Sequence, residues 1–280
     1  MQGLIAVTGA TGEVGGRVAR RLADRGIAQR LLVRDASRAP RLDGAEVATI
    51  TGYGDGDSMR AAIEGAETLF FVPGEEAPNR IEQHKTVVDA AVAAGVERIV
   101  YLSFLAASPD STFTLGRHHW ATEEHIRDKG IPFVFPRMSM YMDFIPMFAG
   151  PDGVIRGPGG DGRVGAVLRD DLADVIAEIL ADPAAHDGQS YDVTGPEAFS
   201  LAEIASLLGV RYEQETIEEA WESRRASTGA EDWEIEGWVS SYVAIANGDL
   251  DLVTDTVRRI AGHDPVSLRD FLKAGPPTNP

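Results

Sequence analysis

The chain has 280 residues, 44% of them hydrophobic and 25% charged, a formal net charge of −18 and no cysteine. That length suits one large domain or one domain with a smaller companion. The missing thiols exclude disulfide frameworks, thiolate zinc sites, iron–sulfur clusters and cysteine nucleophiles. The acidity argues against nucleic acid and anionic membrane as partners. No apolar run approaches the roughly 20 residues of a membrane span, and the start lacks a basic secretory leader, so a soluble cytoplasmic protein is expected.

In chain order, residues 4–7 form an apolar run that ends at Thr8-Gly9 and reads as a buried parallel strand. Residues 13–25 carry Val14, Val18 and Leu22 at helical spacing and stop at Gly26. Strands follow at 31–33 and 47–50, a short helix at 58–63, a fourth strand at 68–72 and an Ala/Val-rich helix at 80–94 closed by Gly95. A fifth strand at 99–102, a helix at 118–129 and a sixth strand at 133–135 complete an alternating pattern. Strand and helix in regular alternation predict βαβ units and a parallel sheet with right-handed crossovers.

After Pro136 the rhythm changes: residues 138–165 hold four of the six methionines, several aromatics and a Gly/Pro-rich stretch. A helix is expected over 170–182, capped by Asp170 or Asp171, then a seventh strand at 191–193 and a helix over 201–208 capped by Ser200. Residues 211–237, with nine acids, read as solvated loop or as a partner surface. A closing helix at 266–273 and a frayed tail from Gly275 end the chain. The expected architecture is α/β, a doubly wound parallel sheet over 1–150 with a smaller α+β region over 151–280, from which 185–195 returns a strand to the sheet.

One motif carries chemistry. Gly9-Ala10-Thr11-Gly12-Glu13-Val14-Gly15 lies between the first strand and the first helix. Gly9 permits the tight turn, Gly12 lets backbone approach a pyrophosphate, and Gly15 lets the helix pack close to the sheet. The free N–H groups and positive dipole end of the helix then bind phosphate. A control lies further on: Gly157-Pro158-Gly159-Gly160-Asp161-Gly162 matches G-x-G-x-x-G letter for letter, but no helix opens from it, so it reads as a surface turn.

The end of the second strand chooses the cofactor. NAD-binding folds place an acid there for the ribose hydroxyls; here Arg34 comes first, then Asp35 and, three further on, Arg38. Two guanidinium groups beside a ribose 2′-phosphate favour NADP over NAD. The region is locally basic: residues 1–50 hold eight arginines against five acids, +3, which leaves −21 for the rest. Arg17, Arg20, Arg21 and Arg25 fall at helical spacing and read as a solvated helix face.

The run V-T-G-A-T-G-E-V-G-G at 7–16 resembles the atypical short-chain dehydrogenase/reductases of the NmrA-like group. L-V-R-D-A-S-R at 32–38, A-A-G-V-E-R-I-V-Y-L-S at 93–103, R-D-D-L-A at 169–173 and G-Q-S-Y-D-V-T-G-P-E at 188–197 follow in order. H-W-A-T-E-E-H-I-R from 119 and M-Y-M-D-F from 140 look most similar to quinone and triphenylmethane-dye reductases of that group. The resemblance implies a seven-stranded Rossmann sheet and cofactor contacts at residues 9–15 (Gly9, Ala10, Thr11, Gly12, Glu13, Val14, Gly15), at Arg34 and Arg38, and at Val72, Pro73, Ser103 and Pro136. One match is damaged: the group's G-D-x-x-D after the third strand is here Gly52-Tyr53-Gly54-Asp55, a residue short, and the adenine contact stays open.

The Tyr-x-x-x-Lys pair of typical short-chain dehydrogenases is missing: the only lysines are 85, 129 and 273, none four residues after a tyrosine. A quinone or conjugated dye can take hydride and then a proton from water, so that pair is dispensable. His119 and Tyr141 are the candidates for the chemistry, His119 for proton delivery or for orienting the acceptor. Against a chemical role for His119 stands a structural one, in a pair with Glu123 at i+4. Phe104, Met138, Tyr141, Met142 and Phe144 could line an apolar acceptor pocket or simply be core. His118, Glu124 and His125 do not make a zinc motif, and no metal is expected. Two functions remain: an NAD(P)H-dependent oxidoreductase passing hydride to a small apolar acceptor, or a non-catalytic NAD(P)-binding redox regulator with a protein partner. The oligomeric state is not encoded in any motif.

Overall fold

The computed structural model describes residues 3–275; the tail expected beyond Gly275 lies outside them. The strands are β1 (Ile5–Val7), β2 (Gln29–Val33), β3 (Ala45–Thr49), β4 (Thr68–Phe71), β5 (Arg98–Tyr101) and β6 (Ser103–Phe104). They continue as β7 (Phe133–Met138), β8 (Val154–Gly157), β9 (Arg163–Val164), β10 (Gln189–Val193), β11 (Phe199–Ser200) and β12 (Arg211–Gln214). The helices are α1 (Glu13–Asp24), α2 (Gly56–Ile63), α3 (Arg80–Ala93), α4 (Thr114–Asp128) and α5 (Arg169–Ala181). After them come α6 (Leu201–Leu208), α7 (Ile217–Thr228), α8 (Asp232–Ala246) and α9 (Leu268–Ala274).

The main sheet runs β10-β7-β5-β4-β1-β2-β3, with β6 paired to β7 off that path. β1 lies parallel between β2 and β4, Ile5 registering with Gln29 on one side and Thr68 on the other. β2 with β3, β4 with β5 and β5 with β7 are parallel too. Strand order therefore reverses beside β1, and the carboxyl ends of β1, β2 and β4 surround the switch point where open α/β sheets take their ligands.

The chain divides into two compact units. The first comprises residues 1–103, 118–137 and 169–191; the second comprises 104–117, 138–168 and 192–280.

In the first unit alternate strand residues supply one core. Ala6, Leu32, Leu69, Phe71, Ile99, Tyr101 and Phe135 meet Met59 and Ile63 of α2, Val87 and Val88 of α3 and Ile126 of α4. Their strand neighbours, such as Ile5, Val7, Phe70 and Val100, point to the opposite face and are equally buried. Burial on both faces explains why these strands read as continuous apolar runs. Of the four arginines expected to form a solvated face, Arg20 is exposed, whereas Arg17, Arg21 and the C-cap Arg25 pair with α5. Arg17 and Arg21 pair with Asp170 on α5 (3.3 and 3.1 Å), Arg21 also with Asp174 (2.5 Å) and Arg25 with Glu178. The four-residue spacing on α1 matches that on α5, a ladder that periodicity within one helix does not reveal. Asp170 and Asp171 lie in the first turn of α5, where acids suit the helix dipole.

In the second unit β8 pairs parallel with β12 and β9 antiparallel with β11. Ser200 caps α6 in a reciprocal capping box with Glu203. The solvated loop expected over 211–237 is instead β12, α7 and the start of α8. Thr216 and Glu219 form a capping box, Gly229 closes α7 in the left-handed region, and Ala220, Ile235 and Val239 pack the two helices together. Acidic residues on the outer faces hide the helical period because the shared apolar seam is only a few residues wide. The glycine-rich segment 157–162 is more than a surface turn. A Cβ on Gly157 would strike Tyr242, one on Gly159 Leu201, and one on Gly162 the Ile245 carbonyl, so these glycines let the chain lie against α6 and α8.

Gly162→Ala is expected to destabilise the protein by about 1–3 kcal/mol through overpacking. Gly54→Ala, where no atom lies within 4 Å of the added Cβ, should stay within about 0.5 kcal/mol. Urea unfolding of both variants measures the difference.

Candidate dinucleotide site

The glycine turn closes onto itself. Gly9 has φ +64°, a value that L side chains rarely adopt, and a Cβ there would press on Val72 at 3.0 Å. A Cβ on Gly15 would collide with the Gly9 carbonyl, so α1 packs over the turn only because position 15 has no side chain. Gly12 is the N-cap of α1 and offers no side-chain cap to the first turn. Thr11, Gly12 and Glu13 are exposed while Ala10, Val14 and Gly15 are buried, so the rim of the turn faces outward and its base anchors to the sheet. Glu13 folds back to pair with Arg17 at i+4. The helix start, with no side-chain cap at Gly12 and the Glu13 carboxylate drawn toward Arg17, fits an anionic group held by backbone N–H donors.

The loop after β4 is pinned on every side. The buried Thr8 hydroxyl accepts from the Val72 N–H (2.8 Å) and lies within 3.4 Å of the Val72 carbonyl. That carbonyl also accepts from the Tyr53 hydroxyl at 2.8 Å, and burial pushes the Tyr53 pKa up to about 12. The Gly74 N–H donates to His84 Nε2 at 3.0 Å, and the Gly74 carbonyl accepts from Arg80 Nε at 3.2 Å. Val72 and Pro73 are thus held half-buried at the carboxyl end of β4.

At the end of β2, Asp35 turns into its own backbone. It caps the short helical turn Ala36–Arg38, accepting from the Ser37 N–H (2.9 Å) and hydroxyl (2.7 Å), which hold its carboxyl below the usual range. Arg34 and Arg38 stay exposed, and Arg34 reaches Glu75 at 3.0 Å. In the shortened motif after β3, Asp55 caps α2 through the Ser58 N–H (3.0 Å) and accepts from the Thr51 hydroxyl (2.7 Å).

Ser103 is buried where β6 opens, two residues past β5, and Pro136, expected just past a strand ending at 135, is buried inside β7, which runs on to Met138. The Ser103 hydroxyl donates to Glu123 at 2.6 Å. Glu123 is wholly buried on α4 and takes both prongs of Arg137 (2.8 and 2.5 Å) as well as Arg127 (3.0 Å). Arg127 in turn lies over the rings of Trp120, Phe133 and Phe135, the last at 4.9 Å. A carboxylate with that many donors is satisfied despite its burial.

His119 is 3% exposed and sits between Tyr101 and Arg80. Arginine cannot accept, so Nε2 of His119 faces the Arg80 guanidinium (3.4 Å) as acceptor and Nδ1–H donates to the Tyr101 oxygen (3.0 Å). Burial and the adjacent Arg80 charge hold its pKa well below the ordinary value. His84 follows the same logic. Its Nε2 accepts from Gly74, so Nδ1–H donates to Thr122 (2.9 Å), whose hydroxyl donates to the His118 carbonyl (2.9 Å). Burial takes His84 down from 6.5 to about 2. Both imidazoles are neutral members of a buried network.

In the second unit the methionine-rich segment splits. Phe104 and Met142 are buried in its core, with Met138 packed against them, and Phe104 meets Phe113 edge-on at 5.1 Å. Tyr141 is half-buried and precedes the helical turn Met142–Phe148, and its ring lies 5.9 Å from that of Phe144, which is 42% exposed. Of the five residues expected to line an acceptor pocket, Phe144 is an exposed aromatic and Tyr141 a half-buried one, while Phe104 and Met142 are buried. Sequence reasoning did not single out Thr8, Tyr53, Glu75, Arg80 or His84. Thr8 stood within the glycine-turn run at 7–16 and Tyr53 within the damaged motif; Glu75, Arg80 and His84 carry no local pattern, because their roles depend on partners elsewhere in the chain.

The parallel sheet, its switch point and the uncapped glycine turn define a dinucleotide-binding Rossmann protein. Residues 1–220 match the NmrA-like family, and the chain belongs to it. It is 31% identical to an NAD(P)H azoreductase of Xenophilus azovorans over 97% of each chain. Among solved structures it is similar to the NADPH-dependent quinone oxidoreductase QOR2 of Escherichia coli in complex with NADPH. That match has a TM-score of 0.88 and 28% identity, and covers 96% of this chain and 99% of that one. The triphenylmethane reductase of a Citrobacter species, solved with NADP(H), matches at TM-score 0.82 and 29% identity, over 96% and 99% of the two chains. The negative transcriptional regulator NmrA matches at TM-score 0.76 but 19% identity, over 96% and 94%, a likeness of fold alone. Among the described residues no helix is long and apolar enough to cross a membrane.

Two outcomes follow from the buried groups. His84 and His119 are neutral when folded and take up protons below about pH 6.5 when unfolded. Their contribution is complete above that pH and is lost as pH falls toward the folded values, near 2 for His84. Unfolding free energy should drop by about 2 kcal/mol per histidine between pH 6.5 and 5, and His84→Asn should remove its share of that slope. Glu123→Gln removes the carboxylate that holds Arg137 and leaves Arg127 with Glu124 alone, and should cost about 3 kcal/mol in urea unfolding.

Proposed function

We propose that this protein is an NADPH-dependent reductase that passes hydride to a small apolar acceptor such as a quinone or a conjugated aromatic. The observation that carries the cofactor half is the turn of Asp35 into its own cap, while Arg34 and Arg38 stand at the end of β2. An acid free to accept from both ribose hydroxyls would favour NAD; a committed acid beside two arginines favours a 2′-phosphate. The quinone and dye reductases among its relatives support the acceptor half.

The bound cofactor would supply a hydride at its nicotinamide ring. The protein's part is binding and orientation. Backbone N–H groups at Gly12–Val14 take the pyrophosphate, Arg34 and Arg38 the 2′-phosphate, and Val72, Pro73, Ser103 and Pro136 shape the strand ends beneath the dinucleotide. Ser103, with its hydroxyl committed to Glu123, contributes a fixed surface rather than a proton. Tyr141, half-buried, and Phe144, exposed, present the acceptor side, with Phe104, Met138 and Met142 as the apolar packing of the same unit. A conjugated acceptor that has taken hydride holds its charge on an oxygen or nitrogen basic enough to draw a proton from water. The reaction therefore needs no Tyr–Lys pair. His119, neutral and hydrogen-bonded inward, acts as a positioning residue through Tyr101 and Arg80.

Arg34→Ala should weaken NADPH binding about 10- to 100-fold while changing NADH affinity little. Titration of both cofactors by fluorescence checks this, and equal losses would remove Arg34 from the 2′-phosphate. Stopped-flow oxidation of bound NADPH against quinones and azo or triphenylmethane dyes should show turnover. Tight binding without oxidation by any acceptor would favour the redox-regulator reading.

A further inference from the structure

β2 and β4 flank β1 on opposite sides, and Arg34 and Glu75 follow their carboxyl ends. The Arg34–Glu75 ion pair, 3.0 Å long, therefore spans the end of β1 and the glycine turn that leaves it. The two ends are unlike in mobility. Glu75 is 81% exposed at its side chain, yet the preceding Gly74 is bonded through both N–H and carbonyl, to His84 and Arg80. Arg34 is 67% exposed on a long flexible stem next to a turn fixed by Asp35. The backbone beside the carboxylate is held at Gly74, and the guanidinium sits at the end of a long exposed side chain.

We infer that Arg34 and Glu75 form a clasp across the dinucleotide groove, and that Glu75 sets cofactor preference by competing with the 2′-phosphate for Arg34. This rests on the NADPH reading above and extends it to a residue that would touch the cofactor only through its rival. When no 2′-phosphate competes, the carboxylate holds Arg34. A ligand carrying a 2′-phosphate brings two negative charges against one and draws Arg34 away from Glu75. A ligand with free ribose hydroxyls makes no such claim on Arg34, so it leaves the pair with Glu75 intact and loses little by it. Glu75 thus narrows the preference for the phosphorylated cofactor, which alone requires a charge-charge exchange at Arg34 that disappears when the carboxylate is removed. Because both side chains are exposed, the exchange is small and screened by salt.

The test uses the full-length protein and binding alone. Dissociation constants are measured by calorimetry for NADPH, NADH, adenosine 2′,5′-bisphosphate and adenosine 5′-monophosphate, at low and at high salt, in wild type, Glu75→Gln, Arg34→Ala and the double variant. Thermal unfolding of each confirms folding. Glu75→Gln is expected to tighten NADPH and the bisphosphate about two- to fivefold at low salt. The effect should shrink at high salt, move NADH and the monophosphate less, and vanish in the Arg34→Ala background. If Glu75→Gln tightens all four ligands equally, or tightens NADPH as much without Arg34 as with it, Glu75 is a background charge and the clasp is overturned. If Glu75→Gln changes nothing while Arg34→Ala still weakens NADPH, the clasp fails and the cofactor assignment stands. If Arg34→Ala leaves the preference for NADPH over NADH untouched, both fail together.

Discussion

The close contact between the Gly9 carbonyl and the backbone of α1 at Gly15 is the constraint on which the first unit depends. It brings the helix start directly over the end of β1, at the place where the strand order reverses. A side chain at position 15 would push the helix outward and separate its N–H groups from the turn. Thr8 completes the arrangement by tying the end of β1 to the Val72 backbone, so that the turn and the loop after β4 share one anchor. A phosphate-binding surface built from backbone alone needs this rigidity, because backbone donors cannot swing to meet a ligand as side chains can.

Around that surface the charges are arranged by partner rather than by region. Arg17, Arg21 and Arg25 are matched by acids of α5, and Arg127 and Arg137 converge on one buried carboxylate. Asp35 and Asp55 are spent on backbone caps. Against this background Arg34 differs: its partner is on an exposed, pinned loop across the groove, so its pairing is weak enough for a ligand to replace. An acidic protein thereby keeps, at Arg34, the place proposed for a phosphorylated ligand.

Much of the first unit was legible in the sequence. Strands buried on both faces have no choice but to be apolar throughout, and glycines at helix ends announce themselves as stops. The glycine turn was readable because each glycine answers a separate steric demand within seven residues. Helices α7 and α8 were not legible, since their buried seam is narrow and their acids dominate any window average. Their capping boxes, Thr216 with Glu219 and Glu231 with Glu234, were the signal available. His119 shows the other limit. Its place near the start of a helix marked it for chemistry, but the direction of its ring depends on Tyr101 from β5 and Arg80 from α3.

By itself the sequence determined the alternation of strands and helices, the dinucleotide turn and the arginines at the end of β2, because each rests on steric or electrostatic needs met within a few neighbouring residues. Only the tertiary structure decided where Asp35 points, which partners hold Glu123, that His84 and His119 are buried and neutral, and that Glu75 faces Arg34. Those outcomes depend on groups brought together from separate strands and helices, and no local pattern records which donor will reach which acceptor once the sheet has closed.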